Sequence, residues 1–191
     1  MQMLTPNPLA LTSKRGISAA LVGLLLAALP VQADNASFWK ISSDIGAYGL
    51  VGTALAVPVG QGDWIGLAQA GLSVATATGI GLLGKALLDV ERPDQSGDDG
   101  FPSNHAANSF AAATTLHRRY GWKLGFPAYG VAALVGAGRI QADKHYWADV
   151  CAGAAIGVFA GWLFTEAFDG TVKIVPWASR REAGLALAIN W

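Results

Sequence analysis

The stretch WIGLAQAGLSVATATGIGLLG, residues 64–84, runs 21 residues without a charge between Asp63 and Lys85. A helix rises about 1.5 Å per residue, so this stretch spans about 30 Å, the thickness of a bilayer's hydrocarbon core. Uncharged stretches rich in Ala, Gly, Leu and Val recur at residues 45–62, 106–117, 124–138 and 150–165. We therefore predict an all-α, membrane-embedded bundle of five helices, whose small residues allow close helix packing.

Composition supports a membrane protein and excludes several other classes. Charged residues make up 14% of the 191 residues, where a soluble domain carries about 25%. A formal net charge of zero, with no basic run longer than two residues, argues against a nucleic-acid-binding protein. The single cysteine, Cys151, excludes an intrachain disulfide and a multi-cysteine metal site. A soluble periplasmic helical bundle is the alternative to a membrane protein.

The N-terminal 33 residues have two interpretations. Lys14 and Arg15 precede an uncharged run that ends in small residues at Ala33, as in a cleaved secretory signal peptide. The same run is long enough to remain as a first membrane helix. In both cases Lys14 and Arg15 favour a cytoplasmic location for the end of the segment that precedes the uncharged run, so the chain after the run begins outside the cytoplasm.

The C-terminal residues 169–191 depart from the helical pattern. Apolar Leu185, Leu187 and Ile189 alternate with smaller or polar residues, which is the period of a strand. Residues 172–177 precede this segment, with a turn expected at 180–184. We predict a short β-hairpin after a helical-bundle domain at residues 41–168.

If the five segments run in alternating directions, an arrangement that we call the threading, their loops fall into two sets on opposite sides. One side receives the turns at residues 61–63 and 118–123 and the tail, and it collects lysine and arginine as cytoplasmic loops do. The other side receives residues 85–102 and 139–149. That second side is predicted to face away from the cytoplasm.

Chemically capable side chains concentrate on this second side. They come from three separate stretches of a mostly uncharged chain: Lys85 and Arg92, then His105, then Arg139, His145 and Asp149. Each arginine can bind two phosphate oxygens at once, and the lysine adds a compact positive charge. The set predicts a phosphate pocket that contains two histidines.

Local spacing suggests how the histidines are presented. His145 and Asp149 stand four residues apart, so on a helix they would share a face and the carboxylate would hold the imidazole N–H. The other ring nitrogen would then be free to act as a base or nucleophile. Ser103 is predicted to be an N-cap, which places His105 in the first helical turn, beside anion-binding N–H groups.

These residues resemble a known family signature. The chain contains Lys85, six residues, Arg92-Pro93; then Pro102-Ser103-Asn104-His105; then Arg139, five residues, His145, three residues, Asp149. The pattern is similar to the three motifs of the type 2 phosphatidic acid phosphatase superfamily, which includes bacterial acid phosphatases and vanadium haloperoxidases. Two positions depart from the family pattern. The family usually has Gly where this chain has Asn104, and Ser where it has Gly138.

The resemblance implies a covalent phosphatase. His145 would attack phosphorus, Asp149 would orient it, and His105 would protonate the leaving oxygen and then activate water. The phosphate oxygens would be held by Lys85, Arg92, Arg139 and the backbone at Ser103 and Asn104. We expect no metal and no cofactor, since cations and a helix N-terminus can compensate the anionic oxygens.

The resemblance also implies a substrate and a place. We expect a lipid phosphate or diphosphate as substrate, a bacterial inner membrane as location, and a site that faces the periplasm. No nucleic acid and no obligate protein partner is expected. The alternatives are a soluble periplasmic acid phosphatase, a haloperoxidase, and a membrane lipid-binding protein with a degenerate site. We expect the acidic loop at residues 89–99 to be solvated.

Overall fold

The computed structural model describes residues 35–169, 172–178 and 183–189. Five helices follow one another in this part of the chain, with bounds α1 Asn35–Gln61, α2 Trp64–Leu87, α3 Asn104–Tyr120, α4 Trp122–Gln141 and α5 Trp147–Asp169. This confirms the predicted all-α bundle of five helices. Each predicted uncharged segment lies almost wholly within one of these helices. The signal peptide or anchor predicted at residues 1–33 lies outside the described residues.

Two of the helices are long and apolar enough to cross a membrane. They are α2, residues Trp64–Leu87, and residues Trp147–Thr165 of α5. Several large apolar side chains are exposed on the bundle, as a lipid-facing surface requires. Examples are Ile65, Leu83, Phe126, Leu134 and Phe159.

The predicted C-terminal hairpin is present. Strand β1, Val172–Ala178, pairs antiparallel with β2, Ala183–Ile189. Val172 is opposite Ile189, and Ala178 is opposite Ala183. The second strand therefore begins within the turn predicted at residues 180–184.

Helix α3 is the centre of the bundle, and each of the other four helices packs against it. Its buried residues are nearly all small, among them Ala107, Ala111 and Ala112. Small side chains let helix backbones approach closely, which favours dense packing in a membrane as in a soluble bundle.

A glycine stripe on α5 packs directly against the backbone of α3. Gly153, Gly157 and Gly161 recur every four residues and therefore share one helix face. A Cβ atom on Gly153 would lie 2.3 Å from the Ser103 carbonyl oxygen, and one on Gly157 would lie 2.2 Å from that of Ala107. Neither distance is sterically allowed, so these glycines set how near α5 lies to α3.

A partly buried ion pair fixes the end of the bundle that carries the first set of loops. The Asp63 carboxylate accepts the Gly66 N–H at 2.9 Å and so caps α2. The same carboxylate receives two hydrogen bonds of 2.8 Å from the Arg119 guanidinium and one of 2.8 Å from Tyr120. The Arg119 hydrogen bonds hold the pKa of Asp63 well below its usual range. The two turns therefore lie together, as the threading predicts.

We predict that the variant Gly157→Ala destabilises the bundle. Its methyl group would meet backbone atoms of α3, which cannot move aside as a flexible side chain can. Overpacking of this kind costs about 1–3 kcal/mol, so the thermal unfolding midpoint in detergent should fall by several degrees.

The matched control is Gly130→Ala on α4, because a Cβ there meets nothing within 4 Å. That variant should unfold at or slightly above the wild-type temperature. Equal midpoints for the two variants would show that the glycine stripe does not set the helix spacing.

Candidate functional site

The two loops of the second set lie together at one end of the bundle. The Asp94 N–H donates to the Asp143 carbonyl at 3.0 Å, and the Lys144 ammonium forms an ion pair with the Asp94 carboxylate. This Lys144 hydrogen bond lowers the pKa of Asp94 to about 2. The structure therefore brings the first and third motifs into one region, as the threading predicts.

Lys85 and Arg92 of the first motif hold the same carboxylate. Arg92 forms a two-pronged contact with Asp99, from Nε to Oδ1 and from Nη2 to Oδ2, each at 2.8 Å. Lys85 Nζ lies 3.3 Å from Oδ2. The Arg92 hydrogen bonds lower the pKa of Asp99 to about 2. The guanidinium and ammonium together form an oxyanion cradle, which Asp99 fills.

These contacts add detail to the acidic loop. Its carboxylates are exposed to solvent, as we expected. Two of them are also paired, Asp94 with Lys144 and Asp99 with Lys85 and Arg92. The sequence contained opposite charges at suitable spacing, yet it did not show that the loop folds back onto α2.

The second motif begins α3 as predicted. Ser103 is the N-cap, and its Oγ faces the Ala106 N–H at 3.5 Å. Its own N–H donates to the Asp149 carbonyl at 3.0 Å. The backbone donor of Ser103 is therefore occupied in this structure, contrary to the expectation that it meets phosphate, and the hydroxyl group is the remaining donor.

Asn104 stands where the family usually has glycine, and α2 makes room for it. A Cβ on Gly81 would lie 1.7 Å from the Asn104 Oδ1, so the amide occupies space that any larger residue at position 81 would fill. Oδ1 is buried without a hydrogen-bond partner. The larger residue of the second motif is thus compensated by a glycine on a neighbouring helix.

His105 and Arg139 meet at a carboxylate that the motifs do not include. Asp44 Oδ1 on α1 lies 2.9 Å from His105 Nε2 and 2.9 Å from Arg139 Nη1. Arg139 is 4% exposed, and its Nε is buried without a partner. Because an unsatisfied buried N–H is costly, this atom has a donor to offer an incoming anion.

Our sequence analysis missed Asp44. It lies just before the uncharged run at residues 45–62, in a helix that begins at Asn35, before the predicted domain boundary at residue 41. A lone carboxylate next to a long apolar run was the available signal. It was weak, because an acidic residue near a helix end is ordinarily solvated.

His145 and Asp149 are adjacent, but they do not interact as we expected. Helix α5 begins at Trp147, so His145 precedes the helix and the shared-face argument was wrong. The His145 Nδ1 lies 2.7 Å from the Gly100 carbonyl and 3.7 Å from Asp149 Oδ2. Asp149 instead accepts the Tyr146 N–H at 2.7 Å and so closes the first turn of α5.

The Gly100 contact still achieves the expected orientation of the ring. A carbonyl only accepts hydrogen bonds, so Nδ1 carries the proton and Nε2 of His145 is the basic nitrogen. Burial lowers the pKa of His145 to about 3, and the positive charges of Arg139, Lys85 and Arg92 act in the same direction. His145 is therefore neutral at physiological pH and has a lone pair available.

His105 is also neutral in the unliganded protein. Burial lowers its pKa to about 4, assisted by Arg139 and opposed by Asp44. A bound dianion would favour the protonated form, because opposite charge nearby stabilises an imidazolium. The site therefore combines the neutral imidazole of His145, with a lone pair on Nε2, the imidazole of His105 beside the Asp44 carboxylate, and three cations.

Two known proteins are similar to this chain. Lipid A 1-phosphatase of Porphyromonas gingivalis is 36% identical over 95 residues, which cover 48% of this chain and 21% of that protein. The chain thus matches about a fifth of the length of that relative. The crystal structure of Aquifex aeolicus LpxE has the same fold, with a TM-score of 0.61 at 20% identity, over 76% of this chain and 92% of that one.

The family comparison covers all three motifs. A model of the PAP2 superfamily matches residues 66–172, more than half of the chain, and this range contains every motif residue from Lys85 to Asp149 but not Asp44. The chain belongs to the PAP2 superfamily.

Proposed function

We propose that the protein is a phosphatase that hydrolyses a phosphomonoester or diphosphate of a lipid through a phosphohistidine at His145. The observation that carries the proposal is the placement of a neutral, oriented imidazole among the charges of Lys85, Arg92 and Arg139. Phosphoryl transfer needs mainly in-line positioning and compensation of anionic oxygens, and the oriented ring and the three cations support the proposal on both counts.

The reaction follows from these positions. Nε2 of His145 forms a bond to phosphorus while the bond from phosphorus to the leaving oxygen breaks, and that oxygen takes a proton from His105. Water then attacks the phosphohistidine, gives a proton to His105, and releases phosphate and neutral His145. The cations, the Ser103 hydroxyl group and the backbone N–H of Asn104 at the start of α3 hold the oxygens. Asp149 shapes the first turn of α5, and its carboxylate, 3.7 Å from Nδ1 of His145, stabilises the imidazolium of the phosphohistidine.

Three observations support a lipid substrate. Leu87, Leu88, Tyr146 and Trp147 are exposed large apolar residues, and they border the loops that carry the site. Two helices are apolar enough to cross a membrane. The Porphyromonas gingivalis relative is named for lipid A phosphate. We therefore favour a phosphorylated lipid over the small esters of a soluble acid phosphatase.

The same arguments suggest a location. The end opposite the site carries Arg118, Arg119 and Lys123, and basic loops stay on the cytoplasmic side. The proposed site then faces the periplasm, at the outer surface of a bacterial inner membrane. Membrane fractionation after a carbonate wash distinguishes this integral protein from a soluble periplasmic one.

The variant His145→Ala should abolish phosphate release from lipid A and phosphatidate in detergent micelles. Without the nucleophile no phosphohistidine forms, so we expect a loss of at least about a thousandfold in kcat. Wild-type activity should persist in EDTA. The matched control is His117→Gln, an exposed histidine at the other end of the bundle, which should retain full activity. Full activity in His145→Ala would refute the proposal.

The variant Asp99→Asn should bind phosphate more tightly than the wild type. In the wild type the carboxylate must leave Lys85 and Arg92 before an anion can bind, which weakens the apparent affinity. A neutral amide competes less, so the inhibition constant of inorganic phosphate should fall by roughly tenfold, a size typical of a charged hydrogen-bonded contact.

The control for this experiment is Asp98→Asn, which removes an exposed acidic charge from the neighbouring position. It should leave the inhibition constant within about twofold of the wild type, because screening by solvent and salt weakens distant surface charges. Weaker phosphate inhibition in Asp99→Asn would mean that the carboxylate organises the cations without competing for them.

A further inference from the structure

Asp44 is the acidic residue that contacts both His105 and Arg139, although α1 lies outside the range matched by the family model. We propose that Asp44 is a positioning residue for proton transfer: it holds Nε2–H of His105, so that Nδ1 is the nitrogen that gives a proton to the leaving oxygen. This inference rests on the phosphatase function proposed above.

The geometry of the contact favours a specific role. One oxygen of Asp44, Oδ1, is 2.9 Å from both His105 Nε2 and Arg139 Nη1. The side chains of Asp44 and His105 are about one quarter exposed, and that of Arg139 is 5% exposed. Charged hydrogen bonds that are partly removed from water are stronger than those on an open surface. Asp44 therefore restrains the ring of His105 rather than merely lying near it.

The departure from the family pattern at Gly138 is part of the same arrangement. A Cβ on Gly138 would lie 2.9 Å from the Ser43 Cβ and 3.3 Å from the Trp39 carbonyl oxygen. The serine that the family usually has would therefore collide with α1. Gly138 precedes Arg139 and Ser43 precedes Asp44, so the close contact of the two helices brings the ion pair together.

A second glycine supports the same approach of α1 to α4. A Cβ on Gly46 would lie 2.8 Å from the side chain of Val135. Val135 precedes Gly138 by three residues on α4. The two glycines, one on each helix, lie on either side of Asp44 in this contact. The chain thus has a glycine where the third motif usually has serine, and the Asp44 carboxylate of α1 lies beside Arg139.

The carboxylate has a chemical purpose in the reaction. The groups that act on His105 are Asp44, Lys40 and Tyr48 on α1 and Arg139 on α4. Lys40 and Arg139 disfavour an imidazolium, and Asp44 opposes them. With Nε2–H fixed on Asp44, the proton lost to the leaving oxygen comes from Nδ1, and the proton gained from water returns to Nδ1. The Nε2 proton stays in place throughout.

Two aryl phosphates test the proposal with the variant Asp44→Asn. The phenol oxygen of phenyl phosphate needs a proton in order to leave. The leaving group of p-nitrophenyl phosphate departs as the stable p-nitrophenolate anion and needs none. The parameter kcat/KM reports the steps up to departure of this group. We expect kcat/KM to fall by roughly 10-fold to 100-fold for phenyl phosphate, within the range of acid–base catalysis, and by less than about threefold for p-nitrophenyl phosphate.

Other outcomes would overturn the proposal. Equal losses on both substrates would assign Asp44 to phosphate binding through Arg139 or to the fold, and no loss on either would leave it without a role. The control is Lys40→Gln, which removes the 3.2 Å ion pair to Oδ2 and keeps both contacts of Oδ1. Because Lys40 disfavours the imidazolium, its loss should not lower kcat/KM for phenyl phosphate relative to that for p-nitrophenyl phosphate.

A second measurement uses the wild-type protein alone, so it depends neither on enzymatic activity nor on whether a variant folds. Nitrogen NMR of ¹⁵N-histidine-labelled wild-type protein, without substrate, should show His105 as the Nε2–H tautomer. The Nδ1–H tautomer would overturn the proposal. If the wild type hydrolyses no phosphate ester while His105 shows the expected tautomer, then the proposed function fails and the contact with Asp44 stands.

Discussion

The site depends on the close packing of α5 against α3. The glycine stripe of α5 lets its backbone lie against that of α3, so that Gly153 touches the Ser103 carbonyl. One turn away, the Asp149 carbonyl accepts the Ser103 N–H. The second and third motifs, whose contact residues Ser103 and Asp149 are 46 residues apart in the chain, are thereby held in register. Any side chain on the stripe would separate the start of α3 from the start of α5, and the histidines with them.

A second constraint is charge balance. Lys85, Arg92 and Arg139 lie close enough together that each disfavours a proton on His145, so these cations need compensating anions. Asp99 supplies one at the cradle of Lys85 and Arg92, and Asp44 supplies the other at Arg139. We infer that the substrate replaces the first carboxylate, which lies in a loop, while the second stays in place on a helix. Binding and proton transfer would then be served by different acidic residues.

Much of this arrangement could be predicted from the sequence. Uncharged segments of helical length gave the five helices, and the motif spacing identified the residues that meet at one end of the bundle. The contacts of Asp44 and Asp99 could not be predicted, because they depend on which loop folds back and which helix lies beside Arg139. The His145 geometry failed for a related reason: spacing of four residues implies a shared face only if both residues are helical, and α5 begins two residues later.

A crystal structure with inorganic phosphate bound would test the central claim most directly. The account predicts phosphorus about 3–3.5 Å from Nε2 of His145, which is near-attack distance, with Lys85, Arg92 and Arg139 on the oxygens and the Asp99 carboxylate displaced. Phosphate bound at another place, with Asp99 still held by Arg92, would contradict it.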